Sequence, residues 1–320
     1  MTLANGTQAT LITTLEQAMS GVEQLMHEVV DSQVQTLRYA SRHILEAGGK
    51  RIRPRMLLLS YLASGGANLK YILPVAAAVE LVHTASVVHD DINDHGIVRR
   101  GRPSVNAIWG RTFALLTGDF LFTKVYELMA PYKDLNIILA EATVALVEGE
   151  TLQAAAVKEG NLSRQVYYDI IARKTAALFK AAAKMGALLA NAENKTVEAL
   201  GHYGFNIGLA FQIVDDILDL VGDEAKLGKT AGIDLSQGKG YAAAYGNGGT
   251  MVVAEPAIDT AKNPLDIFKQ KLLEGDTLAK AREQAMQLMM LATSSLDVLP
   301  ASAERDALYD LARLVVERDT

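Results

Sequence analysis

The chain has 320 residues, half of them hydrophobic, a formal net charge of −6 and no cysteine. A chain this long can bury a sizeable core; it offers no thiolate or disulfide chemistry, and no global positive field to attract nucleic acid. The absence of cysteine fits a reducing compartment, so a cytoplasmic location is expected. Any acidic ligand must then be met by a local cluster of Lys and Arg.

Residues 1–17 lack a basic stretch followed by an apolar run, so they do not read as a signal peptide. Ile12, Leu15, Met19, Val22 and Met26 recur at spacings of three and four and predict a first amphipathic helix. Breaks follow at Gly48-Gly49, Ser64–Gly66, His95–Pro103, Glu159–Asn161 and Gly246–Thr250. The apolar stretches Tyr71–Val82 and Phe205–Val214 are interrupted by Pro, Glu, Asn or Gln, and no transmembrane segment is expected. Thr175–Ala190 and Ala279–Ala292 are alanine-rich and favour helix. The expectation is an all-α protein, a single domain over residues 1–320 with about ten or more helices and no substantial sheet.

Two acidic motifs carry the chemistry. The first is Asp90-Asp91-Ile92-Asn93-Asp94 and the second Asp215-Asp216-Ile217-Leu218-Asp219. On a helix, Asp90 lies under Asp94 and Asp215 under Asp219, while Asp91 and Asp216 sit about 100° around. The flanks are apolar: Ala85, Val87 and Val88 before the first, Phe211, Ile213 and Val214 before the second. Carboxylates projecting from apolar helices are costly unless a cation compensates them. Hard oxygen ligands suit Mg²⁺, which shares its coordination with substrate phosphates and water. One such motif reads equally well as a solvated helix end; two with the same spacing, both in apolar surroundings, argue for a shared site.

Basic groups stand near them in sequence. Lys50, Arg51, Arg53 and Arg55 follow the Gly48-Gly49 pair, and Arg forks grip phosphate oxygens in pairs. Arg99, Arg100 and Arg102 follow the first motif closely. Lys174, Lys229 and Lys239 are further cations, each by itself more often a surface group than a ligand. His83 lies two helical turns before Asp90. A lone helical His is usually structural, yet facing the same cavity it could donate to a phosphate. Gln212, three residues before Asp215, should face the site as well.

The segments Gly49–Pro54, Val88–Asp94, Arg99–Pro103, Gly118-Asp119, Lys174-Thr175 and Phe211–Asp219 occur in an order that resembles the trans-isoprenyl diphosphate synthases, or polyprenyl synthetases. The resemblance implies an isoprenoid-synthase fold, with helices around a deep central cavity. It implies that Lys50, Arg53, His83 and Arg100 bind isopentenyl diphosphate, and that Arg99, Lys174, Thr175, Gln212 and Lys229 hold an allylic diphosphate, with Lys239 a further substrate-binding residue. Asp90, Asp94 and Asp215 would be the main Mg²⁺ ligands, with Asp91, Asp216 and Asp219 assisting. These six and Lys174 would form the catalytic group. The allylic C–O bond would ionise against metal and cations, and isopentenyl diphosphate would attack the cation. The family is generally homodimeric, and release of an apolar product implies at most transient membrane contact.

One departure stands out. Where the family continues with a short apolar helix containing Leu-Pro, residues 240–249 read as a Gly-rich stretch, either a flexible flap or an altered helix end. The small residues Ala85 and Ser86, just before Asp90, imply a tunnel left open to a medium-to-long product, with Phe122, Tyr126 and Met129 as candidates for its floor. A short-chain synthase of the same family and a non-catalytic subunit of a heteromeric synthase are the alternatives. A terpene cyclase would have no use for a second diphosphate site.

Overall fold

The structure is a computed structural model and describes residues 2–221, 238–246 and 276–317. Its helices are α1 (Thr2–Val29), α2 (Gln35–Glu46), α3 (Ile52–Ala63), α4 (Leu69–Asn93), α5 (Val105–Met129), α6 (Lys133–Glu159), α7 (Arg164–Ile171), α8 (Ala177–Leu189), α9 (Asn194–Val221), α10 (Gly240–Gly246), α11 (Thr277–Ser294) and α12 (Ala303–Val316). A hairpin of two-residue strands, β1 (Val98–Arg99) and β2 (Arg102–Pro103), is the one sheet among the described residues. The all-α expectation holds.

Helix α4 is the hub. Nearly every side chain from Ile72 to Val82 is fully buried, which an element surrounded on all sides requires. It packs on α5, α1, α3 and α8. By length and composition α4 is the one helix among the described residues that could cross a membrane, but 72% of its apolar window is buried inside the protein. The apolar face predicted for α1 is buried from Leu15 through Met19, Val22 and Met26, whereas Ile12 points outward at 56% exposure and Leu11 takes its place. The phase is therefore one residue off at that end.

Local signals set the helix ends around the site. Ser104 and Ser163 accept hydrogen bonds at their side-chain oxygens from the N–H groups of Ala107 and Val166, capping α5 and α7. Between α7 and α8 the chain widens into one π turn, Ala172–Ala176, which carries Lys174 and Thr175. Helices α6 and α9 press on this turn. A Cβ added at Gly149 would lie 2.5 Å from the Lys174 nitrogen, and one at Gly208 would lie 2.6 Å from the Ala176 Cα. Only glycine permits that approach.

Candidate active site

Helices α4 and α9 bring their aspartates to one cavity of about 210 Å³, lined among others by Asp90, Asp94, Asp215, Arg53, His83 and Lys174. Asp90 is on the last turn of α4. Asp94 is its C-cap, with its N–H bonded to the Asp90 carbonyl at 2.8 Å. Burial, with Glu150 adding repulsion against the opposing pull of Lys174, pushes the Asp90 carboxyl up to about 7. Lys174 forms an ion pair with Glu150 and stands 3.7 Å from Asp90. Burial works against its charge, but Asp90 and Glu150 outweigh that and raise it above the ordinary lysine value. Lys239 reaches across to pair with Asp94.

The middle aspartates have other partners. Asp91, 2% exposed, takes the Arg99 guanidinium on Oδ1, at 3.0 Å from Nε and 2.5 Å from Nη2. Asp216, 5% exposed, accepts from the Tyr167 hydroxyl at 2.7 Å, the Tyr241 N–H at 2.8 Å and the Gln212 amide at 2.8 Å. Gln212 in turn accepts from the Thr175 hydroxyl at 2.8 Å.

A basic pocket adjoins the carboxylates. Arg53 is buried, its guanidinium 4.5 Å from the Phe179 ring centroid and 5.9 Å from that of Phe211. Burial lowers its pKa to about 10, against the opposing pull of Glu80. His83 is held well below its ordinary value by burial and by the neighbouring Arg53 and Arg100, so its ring is neutral. Arg100 sits at a hairpin turn in which it and Gly101 are both left-handed (φ 53° and 72°), the geometry that matches strand twist. It packs on Gly49, where an added Cβ would meet its Nη1 at 2.6 Å. Behind these cations, Arg51 is anchored by Glu80 at 2.9 Å and by Glu23.

A second, larger cavity of about 840 Å³ opens between α4, α5 and α6. It shares Ser86, Asp90, Asp94, Leu146 and Glu150 with the first, so the two meet at the first aspartate motif. Phe122 lines it, whereas Tyr126 is 66% exposed and Met129 is fully buried. Ser86 faces both cavities. Ala85 is fully buried and lines neither, because one residue along a helix turns the side chain by about 100°.

Residues 34–244 match the polyprenyl synthetase family. The chain belongs to the polyprenyl synthetase family. Family members similar to it include an all-trans-nonaprenyl-diphosphate synthase (geranyl-diphosphate specific) of Rhodobacter capsulatus, 33% identical over 96% of this chain and 97% of that one. A short chain isoprenyl diphosphate synthase of Methanothermobacter thermautotrophicus is 36% identical over 93% and 95%. A polyprenyl synthase of Caulobacter crescentus, solved with calcium and isoprenyl diphosphate, superposes with a TM-score of 0.87 at 33% identity, covering 98% of each chain. The chain is thus a prenyltransferase with the isoprenoid-synthase fold that its motifs led one to expect.

As a polyprenyl synthetase it gathers Asp90, Asp94, Asp215, Arg53, His83, Arg99, Lys174, Thr175 and Gln212 around one cavity. Lys50 is exposed and does not line it, and Lys229 lies outside the described residues. Among the second motif's carboxylates only Asp215 lines this cavity; Asp216 turns to Tyr167, and Asp219 is 1% exposed. The Gly-rich stretch is a helix over Gly240–Gly246 rather than a flap, and residues 247–249 lie outside the described part. Glu150, Gln153 and Tyr167 were not foreseen. The signal for Glu150 and Gln153 was their i, i+3 spacing on α6, a pattern shared with countless surface helices.

The donor set fits a hard divalent cation. Of the motif residues, Asp90, Asp91, Asp94 and Asp215 line the cavity, and the raised Asp90 carboxyl marks negative charge held there at a cost. No three acidic or imidazole side chains among the described residues converge closely enough to hold an ion alone. An ion here would therefore complete its coordination with substrate oxygens and water, as Mg²⁺ does.

Proposed function

We propose that this protein condenses isopentenyl diphosphate with an allylic diphosphate, with Mg²⁺ held by Asp90, Asp94 and Asp215, to give a medium-to-long all-trans polyprenyl diphosphate. The observation that carries it is the junction of two cavities, the smaller lined by both carboxylates and cations. That cavity holds the carboxylates together with Arg53, His83, Arg99 and Lys174, and it adjoins a larger cavity at the Ser86 and Asp90 wall.

Mg²⁺, when bound, supplies positive charge to the departing diphosphate. Lys174, Lys239 and Arg99 orient that diphosphate and hold further positive charge against it. Arg53, Arg100 and Lys50, with neutral His83 as a ring N–H donor, hold the second diphosphate so that its double bond faces the cleaved carbon. The larger cavity takes the growing apolar chain and keeps water from the allylic cation. The released diphosphate then takes the proton lost from the coupled product.

Ser86, small and facing both cavities, leaves the passage open and supports a longer product. Phe122, whose ring stands 5.9 Å from that of His89, narrows the same cavity and favours the shorter-chain reading. Incubating the purified protein with Mg²⁺, labelled isopentenyl diphosphate and a panel of allylic primers, then sizing the products, decides between them. Absence of any product that depends on isopentenyl diphosphate would remove the reading altogether.

We also assign a homodimer. Phe113 and Leu116 on α5 and Ile137, Val144 and Val147 on α6 are large apolar side chains exposed by 46–59%. A patch of this kind on adjacent helices is the usual mark of a buried interface.

A further inference from the structure

We infer that Asp216 is a positioning residue, which with the Tyr167 hydroxyl and the Tyr241 main-chain N–H clamps the Gly238-Lys239-Gly240 strap so that Lys239 lies on the first aspartate motif. The inference deepens the proposed prenyl transfer and rests on it for the substrate involved. Both partners reach the same oxygen, Asp216 Oδ2, at 2.7 Å and 2.8 Å. Tyr167 is buried on α7 and Tyr241 lies in the first turn of α10, so one carboxylate on α9 ties three helices together.

The strap is built to place one side chain. Gly238 and Gly240, on either side of Lys239, are both left-handed (φ 70° and 77°), a backbone that side-chain-bearing residues resist. Lys239 then reaches from the strap to the first motif and pairs with Asp94.

Aromatic packing fixes the far side of the clamp. The Tyr241 and Tyr245 rings stack at 4.1 Å and 1°, and each meets the Tyr167 ring edge-on, at 5.7 Å and 6.2 Å. Arg164 covers Tyr245 at 4.5 Å, and the Tyr241 hydroxyl donates to Gln284 of α11 at 3.2 Å. The hydrogen-bond chain continues through Gln212 to Thr175, next to Lys174. Lys239 is therefore set by contacts that pass through Asp216, and Thr175, next to Lys174, joins the same network through Gln212. This separates Asp216 from Asp215, its neighbour in sequence, which faces the metal cavity.

Tyr167→Phe removes the donor and keeps the ring. Two measurements read the result. In the ligand-free protein, amide hydrogen exchange over residues 238–246 should speed up by about threefold to tenfold, the worth of one buried hydrogen bond. In steady-state assays the KM for the allylic diphosphate should rise by a similar factor, with the KM for isopentenyl diphosphate unchanged, and that rise should vanish in a Lys239→Ala background. Unchanged exchange over 238–246, or an allylic KM effect just as large without Lys239, would overturn the clamp. If Tyr167→Phe does not fold, Arg164→Ala, which uncovers the Tyr245 stack from the surface, is read by the same exchange measurement, and unchanged exchange there would equally overturn it. Should wild type itself fail to use isopentenyl diphosphate, the prenyl transfer reading falls while the exchange result still judges the clamp.

Discussion

Asp90 and Asp91 are neighbours with different duties. Both line the cavity, but the first carries a carboxyl raised to about 7 and stands near Lys174, while the second is 2% exposed and held by the Arg99 guanidinium. Asp90→Ala should thus lower turnover by about 10²-fold or more, as loss of a transition-state charge partner does, with the melting temperature nearly unchanged; near-normal steady-state turnover would contradict the metal-ligand role. His83 gives a pH signature. Its folded pKa lies well below the ordinary 6.5, so below that pH the unfolded chain binds a proton that the folded chain refuses. Stability is then full above 6.5 and is lost progressively as pH falls from there toward the folded value. Melts of wild type and His83→Gln between neutral and mildly acidic pH should show the smaller acid-side loss in the variant. The helical spacing made the outward faces of both motifs readable from sequence. It could not reveal what the middle aspartates bind, because Tyr167 is 49 residues away and the other donor is a main-chain N–H, which no residue type announces.

Among the elements, α4 shows how finely a helix sorts adjacent side chains. Both Ala85 and Ser86 were expected to line the passage, but only Ser86 does. Ser86→Phe should shorten the product profile seen by chromatography, and an unaltered profile would place the passage elsewhere. Phe at position 85 instead enters a filled core, at a cost of about 1–3 kcal/mol, so Ala85→Phe should register in the melt before it registers in the products. Helix positions were legible because apolar periodicity and capping serines are local signals. The π turn was not, since the close approach of Gly149 and Gly208 that accommodates it comes from elements remote in the chain.

For the molecule as a whole, the apolar residues of α5 and α6 join two questions. Val147 is 53% exposed and also lines the larger cavity, so the face assigned to a second copy adjoins the space assigned to the product. Val144→Asp should shift the protein to monomer by sedimentation at micromolar concentration, and a retained dimer would place the interface on another face. The fold class, the pairing of the two acidic motifs and their basic neighbours were all present in the sequence as residue types at helical spacing. The separation into two joined cavities was not, because it depends on how three helices, α4, α5 and α6, splay from one another.

The π turn at Ala172–Ala176 holds one residue more than an α-helical turn would. Excising Ala176 would wind the segment into a regular helix and rotate Lys174 and Thr175 by about 100° relative to α8. Chain length at this point is therefore as tightly constrained as chemistry, and the segment should tolerate exchange of its alanines far better than any insertion or deletion.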